Sequence, residues 1–531
     1  MKRIHILIAA ALMPLGLFAQ NLNPEVQVTN EYQTRLNDVS KQGPSMSVPD
    51  SLLRFDYHFD YSVFDSPYKG AYEFSPYAVD LAPSASPYDG RKFYLRGGAG
   101  YVFRPELETV WSVLDRKKAA VNVFASGRGF YGDYKQGPLL IPVAGEIDEA
   151  VFYKGYDFSA KAGVDSRFNI GPVLLCAEIG CEGLFNDHQL YKAGIGYAPY
   201  ASVRAAYQKP GAYSYGVGVR YRYVDDRHDG LMPVNDHDVR IDGNIAPHLS
   251  GNYRVEADVQ VAVNTFYTAA DVHPHAAFSM GIFDVDAGFR LGWFVDKVSI
   301  SPAVNLNMRL FRDYVNLYLF ADGRNHMPSY WDYKYYSHRY HTSYATPLPV
   351  HEIADLGGGF RGYAPFGLQY DIKAGYKFVE NSPFWAVSAS NAEAILYQDC
   401  NLFHAELALA WVSERVNFDG SLHYQYLPDG VGDRIFSPAE LYGEIRGGYN
   451  WMKRIYAGLS VSGCTQRQAT VGTRSAIMPG YVNLGVWGEY KFNDRFSAWL
   501  EGRNLLNQDV RFSPIYCEFG PSVTAGITIS L

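Results

Sequence analysis

Between His326 and His351 the chain gathers the side chains best able to do chemistry. Tyr330, Trp331, Tyr333, Tyr335 and Tyr336 fall within seven positions, and Tyr340 and Tyr344 follow. His326, His338, His341, His351, Lys334 and Arg339 are interleaved with them. Aromatic faces beside cations stack on sugars and hold flat or anionic ligands. Tyr330, Trp331, Tyr333, Tyr335, Tyr336 and Arg339 are therefore the candidate ligand contacts. Two other arrangements use the same residues. The loop could pack its own aromatics over the mouth of a larger structure, as long loops do. The four histidines could hold a metal, but their spacings of 12, 3 and 10 follow no ligand pattern, so no metal ligand is assigned.

Elsewhere the sequence holds no catalytic set. It has no nucleophile-elbow serine, no His-Glu-x-x-His and no phosphate loop. Gly97, Gly98 and Gly100 lack the spacing of a dinucleotide fingerprint, and no helix follows them. Neither an enzyme nor a cofactor is expected. Five cysteines (Cys176, Cys181, Cys400, Cys464 and Cys517) lack metal-ligand spacing and are read as structural, with one disulfide left open.

The elements that must carry the loop are strands. Val523, Ala525, Ile527, Ile529 and Leu531 alternate with Ser522, Thr524, Gly526, Thr528 and Ser530 up to the carboxyl terminus. One face is apolar and the other small and polar, which suits the lumen of a transmembrane barrel better than a soluble sandwich. Tyr215, Val217, Val219 and Tyr221 repeat the pattern, as do Val255, Ala257, Val259 and Val261 against Arg254, Glu256, Asp258 and Gln260. Charges on one strand face would be costly in a core and cost little beside water. Short turns at Asn169–Gly171, Lys209–Gly211, His248–Asn252, Arg312-Asp313, Trp451–Arg454 and Asn493-Asp494 alternate with longer loops near 132–151, 226–236, 324–352, 380–393, 428–437, 464–479 and 503–520. The sequence thus predicts a single all-β, antiparallel transmembrane barrel over residues 92–531, of about 22 strands within a range of 16–22, by the logic of short inner turns and long outer loops.

Composition agrees with one repetitive object. There are 43 Tyr, 31 Phe and 50 Gly, only 19 % charged residues, and no run past the amino terminus fit for a spanning helix. A net charge of -8 gives no reason to expect nucleic acid as a partner. Residues 1–19 read as a secretory signal: Lys2 and Arg3 precede an apolar run from Ile4 to Phe18, with cleavage after Ala19. Residues 20–91 are expected to form a periplasmic or lumenal leader with Ser-Pro-Tyr at 66–68, 75–77 and 86–88, whose prolines disfavour barrel wall. An exported closed barrel belongs in the outer membrane of a Gram-negative cell, with outer-membrane lipids as its surroundings.

The stretch Phe496 to Asn507, which ends in Asn504-Leu505-Leu506-Asn507, resembles the penultimate strand and stop of TonB-dependent receptors. The closing Gly526 to Leu531 and the stop at Gly323-Arg324-Asn325 are similar to the same family's devices, and the aromatic-rich barrel resembles outer-membrane proteins of the Bacteroidetes. The resemblance covers the barrel. It implies solute uptake or capture, with a surface lipoprotein or other outer-membrane subunits as partners. The chain departs from the family in its leader, which is too short for the family's amino-terminal plug; coupling to TonB is therefore not implied, although Glu25 to Thr29 resembles the contact box faintly. A non-transporting barrel serving as scaffold or accessory subunit is the alternative.

Overall fold

The computed structural model describes residues 91–531 except 137–150, 189–190, 208–213, 230, 248–252, 295–296, 312–313, 339, 342–345, 365, 388–392, 429, 431–436, 472–473 and 512–519. The signal, nearly all of the leader, three of the expected short turns and Cys517 lie outside the described residues.

The period-two alternation folds as it reads. In the last strand, β24 (Ser522–Ser530), Val523 and Ile527 point outward and are 42 % and 54 % exposed, while Thr524, Thr528 and Ser530 are buried inside. The first strand, β1 (Phe93–Tyr101), pairs antiparallel with β24 from Tyr94↔Ser530 to Tyr101↔Val523, which closes the sheet on itself. Twenty-two strands make the closed wall. The remaining two, β20 (Arg467–Val471) and β21 (Arg474–Met478), form a hairpin within one loop. They leave β19 (Ile455–Cys464) to pair directly with β22 (Tyr481–Lys491). A closed ring is the form in which strands can cross a bilayer, because it leaves no edge unpaired in hydrocarbon.

Outward side chains form an apolar surface. Val217, Val219, Val255, Val259, Leu319, Ile372 and Leu459 are all exposed. Tyr215, Tyr253, Trp451 and Tyr490 gather near the end that carries the carboxyl terminus, where an aromatic girdle meets the membrane interface. That end has the short turns, such as Gly171-Pro172 and Gly281-Ile282, whose glycines adopt φ of +62°. The opposite end carries the long connections, including 327–349 and 427–440.

Two expectations need correction. Several segments read as loop are paired strand: β15 (Leu368–Val387) runs through 380–387, and 226–236 is mostly the ends of β7 (Ser214–His228) and β8 (Val234–Ala246). A strand needs only about 9–11 residues to cross a bilayer, so these strands project beyond it, and their polar aromatic ends mimic loop. Nor are the inward charges simply wet. Lys377 is buried 2.9 Å from Glu352 and 3.6 Å from Asp355, and Lys373 lies 3.0 Å from Glu406. They are tolerated because they pair.

A cation on the lipid face near mid-membrane costs about 2–4 kcal/mol. Ile527→Arg is therefore expected to abolish the heat-modifiable folded form seen on unheated gels, and Ile527→Leu to preserve it. Thr528, one residue on but only 2 % exposed, should accept serine and refuse arginine.

Candidate functional site

Between β13 (Val315–His326) and β14 (Val350–Tyr363) the aromatic segment folds into a helix, α1 (Tyr330–Tyr336). Its start is written locally. The Ser329 hydroxyl accepts from the Asp332 amide at 3.3 Å, and the Asp332 carboxylate accepts from the Ser329 amide at 2.8 Å, a reciprocal capping box. At the other end the Ser337 amide donates to the Tyr333 carbonyl. A helix of seven residues does not persist alone in water. What it docks against must hold it.

The docking surface is the inner wall of β5 (Val173–His188), β6 (Tyr191–Tyr207), β7 and β8. The Trp331 indole N–H donates to Glu182 at 2.6 Å, and the Tyr330 hydroxyl donates to Asp226. Lys334 Nζ lies 3.1 Å from Asp226 and donates to the Tyr340 carbonyl at 3.1 Å. Arg222 bridges wall and helix, 3.5 Å from Glu182 and 3.5 Å from Asp332. Gly196 matters here because a Cβ would stand 3.2 Å from the Trp331 ring. Around these polar anchors Leu184, Ala198, Val224, Tyr340 and Ile395 complete an apolar cluster inside the barrel. The rest of the segment is tied down as well. His338 meets Asp157, the Asn186 amide donates to the His338 carbonyl at 2.9 Å, and Tyr336 stacks on Trp385 of β15 with centroids 5.2 Å apart. Glu182 is six residues below His188, so α1 reaches about 20 Å down the strand from its outer end.

Electrostatics follow from this burial. Burial and the neighbouring Asp226 carboxylate push the Tyr330 hydroxyl well above the usual tyrosine value, so it stays a donor. Burial, together with nearby His228 and Lys334, lowers His341 below the ordinary imidazole value, against the opposing pull of the Met232 carbonyl and Asp226. Its Nε2–H donates to the Met232 carbonyl at 3.0 Å.

The candidate contacts therefore divide. Tyr330 and Trp331 are fully buried anchors, and Tyr333 is partly buried against the same cluster. Tyr335 and Tyr336 are each 37 % exposed and present ring surface for stacking. Arg339 lies outside the described residues. The four loop histidines scatter: His326 faces Glu352, His338 faces Asp157, His341 faces Met232 and His351 faces Asn325. Sequence reasoning missed Glu182, Arg222 and Asp226, which were visible only as charges at alternate strand positions. It also missed the one group among the described residues arranged like metal ligands, Asp258, His273 and His275, whose donor atoms lie within 4.8 Å of one another. The sequence signal was His-x-His inside a strand.

No family model matches the chain, and no curated protein is similar to it. Its fold does match solved structures. The siderophore receptor PirA from Acinetobacter baumannii superposes with a TM-score of 0.60 at 9 % identity, covering 83 % of this chain and 80 % of that one. The FrpB iron transporter from Neisseria meningitidis gives 0.63 at 9 %, covering 83 % and 81 %. The copper transporter OprC gives 0.58 at 12 %, covering 83 % and 81 %. At these identities the likeness is one of fold.

Two outcomes follow from the docked helix. Lys334→Met removes the lysine partner of a fully buried Asp226 and leaves it with Tyr330 and His228. The loss, at most about 3–5 kcal/mol, is enough to unseat so short a helix. Proteinase K should then cut the folded barrel between 330 and 344, where the parent resists. The second concerns pH. Because the folded-state value of His341 is depressed, its contribution to docking is complete above the unfolded imidazole value of about 6.5 and is lost as pH falls below it. Cutting of the parent segment should rise on acidification through that range, and His341→Gln should flatten the profile.

Proposed function

We propose that this chain is an outer-membrane barrel of the TonB-dependent-receptor type that captures or takes up a solute, and that the inward-folded segment carrying α1 controls the lumen. The observation that carries this reading is the seating of Trp331, Tyr330 and Lys334 on Glu182 and Asp226 of the inner wall. A barrel that served only as a scaffold would have no need of a segment built into its own channel through paired charges. The closed wall of 22 strands supports the same reading, since barrels of that size carry a plugged lumen in outer-membrane transporters. Solved structures named as a siderophore receptor, an iron transporter and a copper transporter share the fold. Tyr335 and Tyr336, exposed beside the anchors, are the proposed solute contacts, together with Arg339.

The leader, residues 20–91, is proposed to fill lumen that the loops leave open, because its aromatic residues at 55, 57, 59 and 61 offer surface to an inner wall. A surface lipoprotein or another outer-membrane subunit is the proposed partner.

Planar-bilayer conductance tests the reading. The intact barrel is expected to stay closed. A variant with 328–348 replaced by a short Gly-Ser linker is expected to open, and one lacking residues 50–88 to open independently of it. Cells exporting either variant should become sensitive to bulky antibiotics. Folded variants that conduct no more than the parent would overturn control of the lumen by these segments, and would leave the scaffold as the better account.

A further inference from the structure

We propose that the lumenal wall formed by β9 (Tyr253–Val263), β10 (Thr268–Met280) and β11 (Phe283–Phe294) binds one divalent transition-metal ion of the zinc, copper, nickel or iron(II) class through Asp258, His273 and His275, with Glu256 as a fourth donor. The site stands apart from α1 and does not depend on the transport reading.

Strand geometry brings the donors together. His273 and His275 are two apart on β10 and share its inner face, as Glu256 and Asp258 do on β9. The register pairs His273 with Asp258 and His275 with Glu256, so four donor side chains stand at the corners of one cross-strand rectangle. The two imidazoles stack with centroids 4.4 Å apart. Asp258 Oδ2 lies 3.4 Å from His273 Nδ1 and 3.5 Å from His275 Nε2, and Glu256 Oε2 lies 3.3 Å from His275 Nε2. Ligands about 2.0–2.2 Å from a tetrahedral centre are about 3.3–3.6 Å from one another. The three donor pairs just described already have that spacing, and the donor atoms of Asp258, His273 and His275 all lie within 4.8 Å of one another.

Burial and hydrogen bonding point the same way. His273 and His275 are 5 % and 6 % exposed; His273 faces Asp258 through Nδ1, and of the donor nitrogens His275 Nε2 is buried without a hydrogen bond. For His275 this holds despite two carboxylates close by. Its other nitrogen, Nδ1, is 2.8 Å from Asp286 on β11. That is the carboxylate–histidine arrangement which fixes a ring and turns its second nitrogen toward a metal. Gly288 leaves room for the ring, since a Cβ there would stand 2.5 Å from the His275 Cβ. Arg254 occupies the other oxygen of Glu256, Oε1, leaving Oε2 toward His275. Asp258, with 35 % of its side chain exposed, opens the group to the lumen and supplies the entry path. Two imidazoles among the donors select a borderline metal over calcium or magnesium, which prefer all-oxygen shells.

The competing arrangement is a knot of ion pairs in which both imidazoles carry protons, and metal titration separates the two. The mature chain is purified in detergent, stripped with EDTA and titrated with Zn(II) by calorimetry and with Co(II) by visible absorption. One Zn(II) per chain is expected, with Co(II) bands of a low-symmetry nitrogen–oxygen site and no heat with Mg(II). Asp286→Asn should weaken Zn(II) binding about 10-fold, and the His273→Ala/His275→Ala pair at least 100-fold. Heat-modifiability confirms that each variant is folded. A readout without mutation covers loss of folding: in the parent, Zn(II) should protect His273 and His275 from diethylpyrocarbonate, mapped by mass spectrometry. Absence of Zn(II) binding and of protection in the parent, or undiminished affinity in the folded double variant, would overturn the site.

Discussion

The structure depends on one seam. Lys92 and Phe93 amides donate to the Leu531 carbonyl, the Leu531 amide donates back to Phe93 at 2.8 Å, and the β1–β24 ladder continues from there to Tyr101↔Val523. In hydrocarbon no water can stand in for a missing partner, and each unpaired backbone group costs several kcal/mol. A wall of strands must therefore close or stay out of the membrane. The seam also sets faces. A slip of one residue between β1 and β24 would turn Thr524 and Thr528 toward lipid and Val523 and Ile527 inward, against the alternation of the neighbouring strands.

Closure creates the second problem, a wide interior lined by polar side chains. The chain meets it with paired charge rather than open water. Arg290 lies 3.6 Å from both Asp271 and Asp322, and Lys377 joins Glu352 to Asp355. In the β5–β8 sector the partner of the wall is the loop itself: Lys334 answers Asp226, and Arg222 answers Asp332 as well as Glu182. Buried ion pairs are weak contributors to net stability but costly to break from one side. They fix where α1 sits more than they add to net stability.

How much of this the sequence discloses depends on the range of the interactions. The strict alternation of Val523 to Leu531 makes the strand, its lipid face and its end legible, since one face sees lipid everywhere along the barrel. The strand count is legible for the same reason, once short and long connections alternate. The helix is not. Ser329 and Asp332 do spell a capping box, but Tyr330 to Tyr336 carries no apolar stripe longer than two turns, and its stability comes from Glu182 and Asp226, about 150 and 100 residues away. Likewise the spacing of the loop histidines gives no site, and the spacing of His273 and His275 gives half of one. Asp258 and Glu256 join them only through the β9–β10 register.

A likeness of fold at 9–12 % identity means that the wall is shared while nearly every lumenal side chain is free to differ. Function must then be argued from the inner face. On that face the two sites sit at different depths. Glu182, which receives Trp331, is nine residues from the carboxyl-terminal-end limit of β5 at Val173, and His275 is five residues from the matching limit of β10 at Met280. The difference is about 13 Å along a strand. On the proposed reading, a solute arriving from the loop end would pass the seat of α1 before it reached the imidazoles. Under that reading the loop offers ring surface for stacking, and the wall offers donors held in a fixed register.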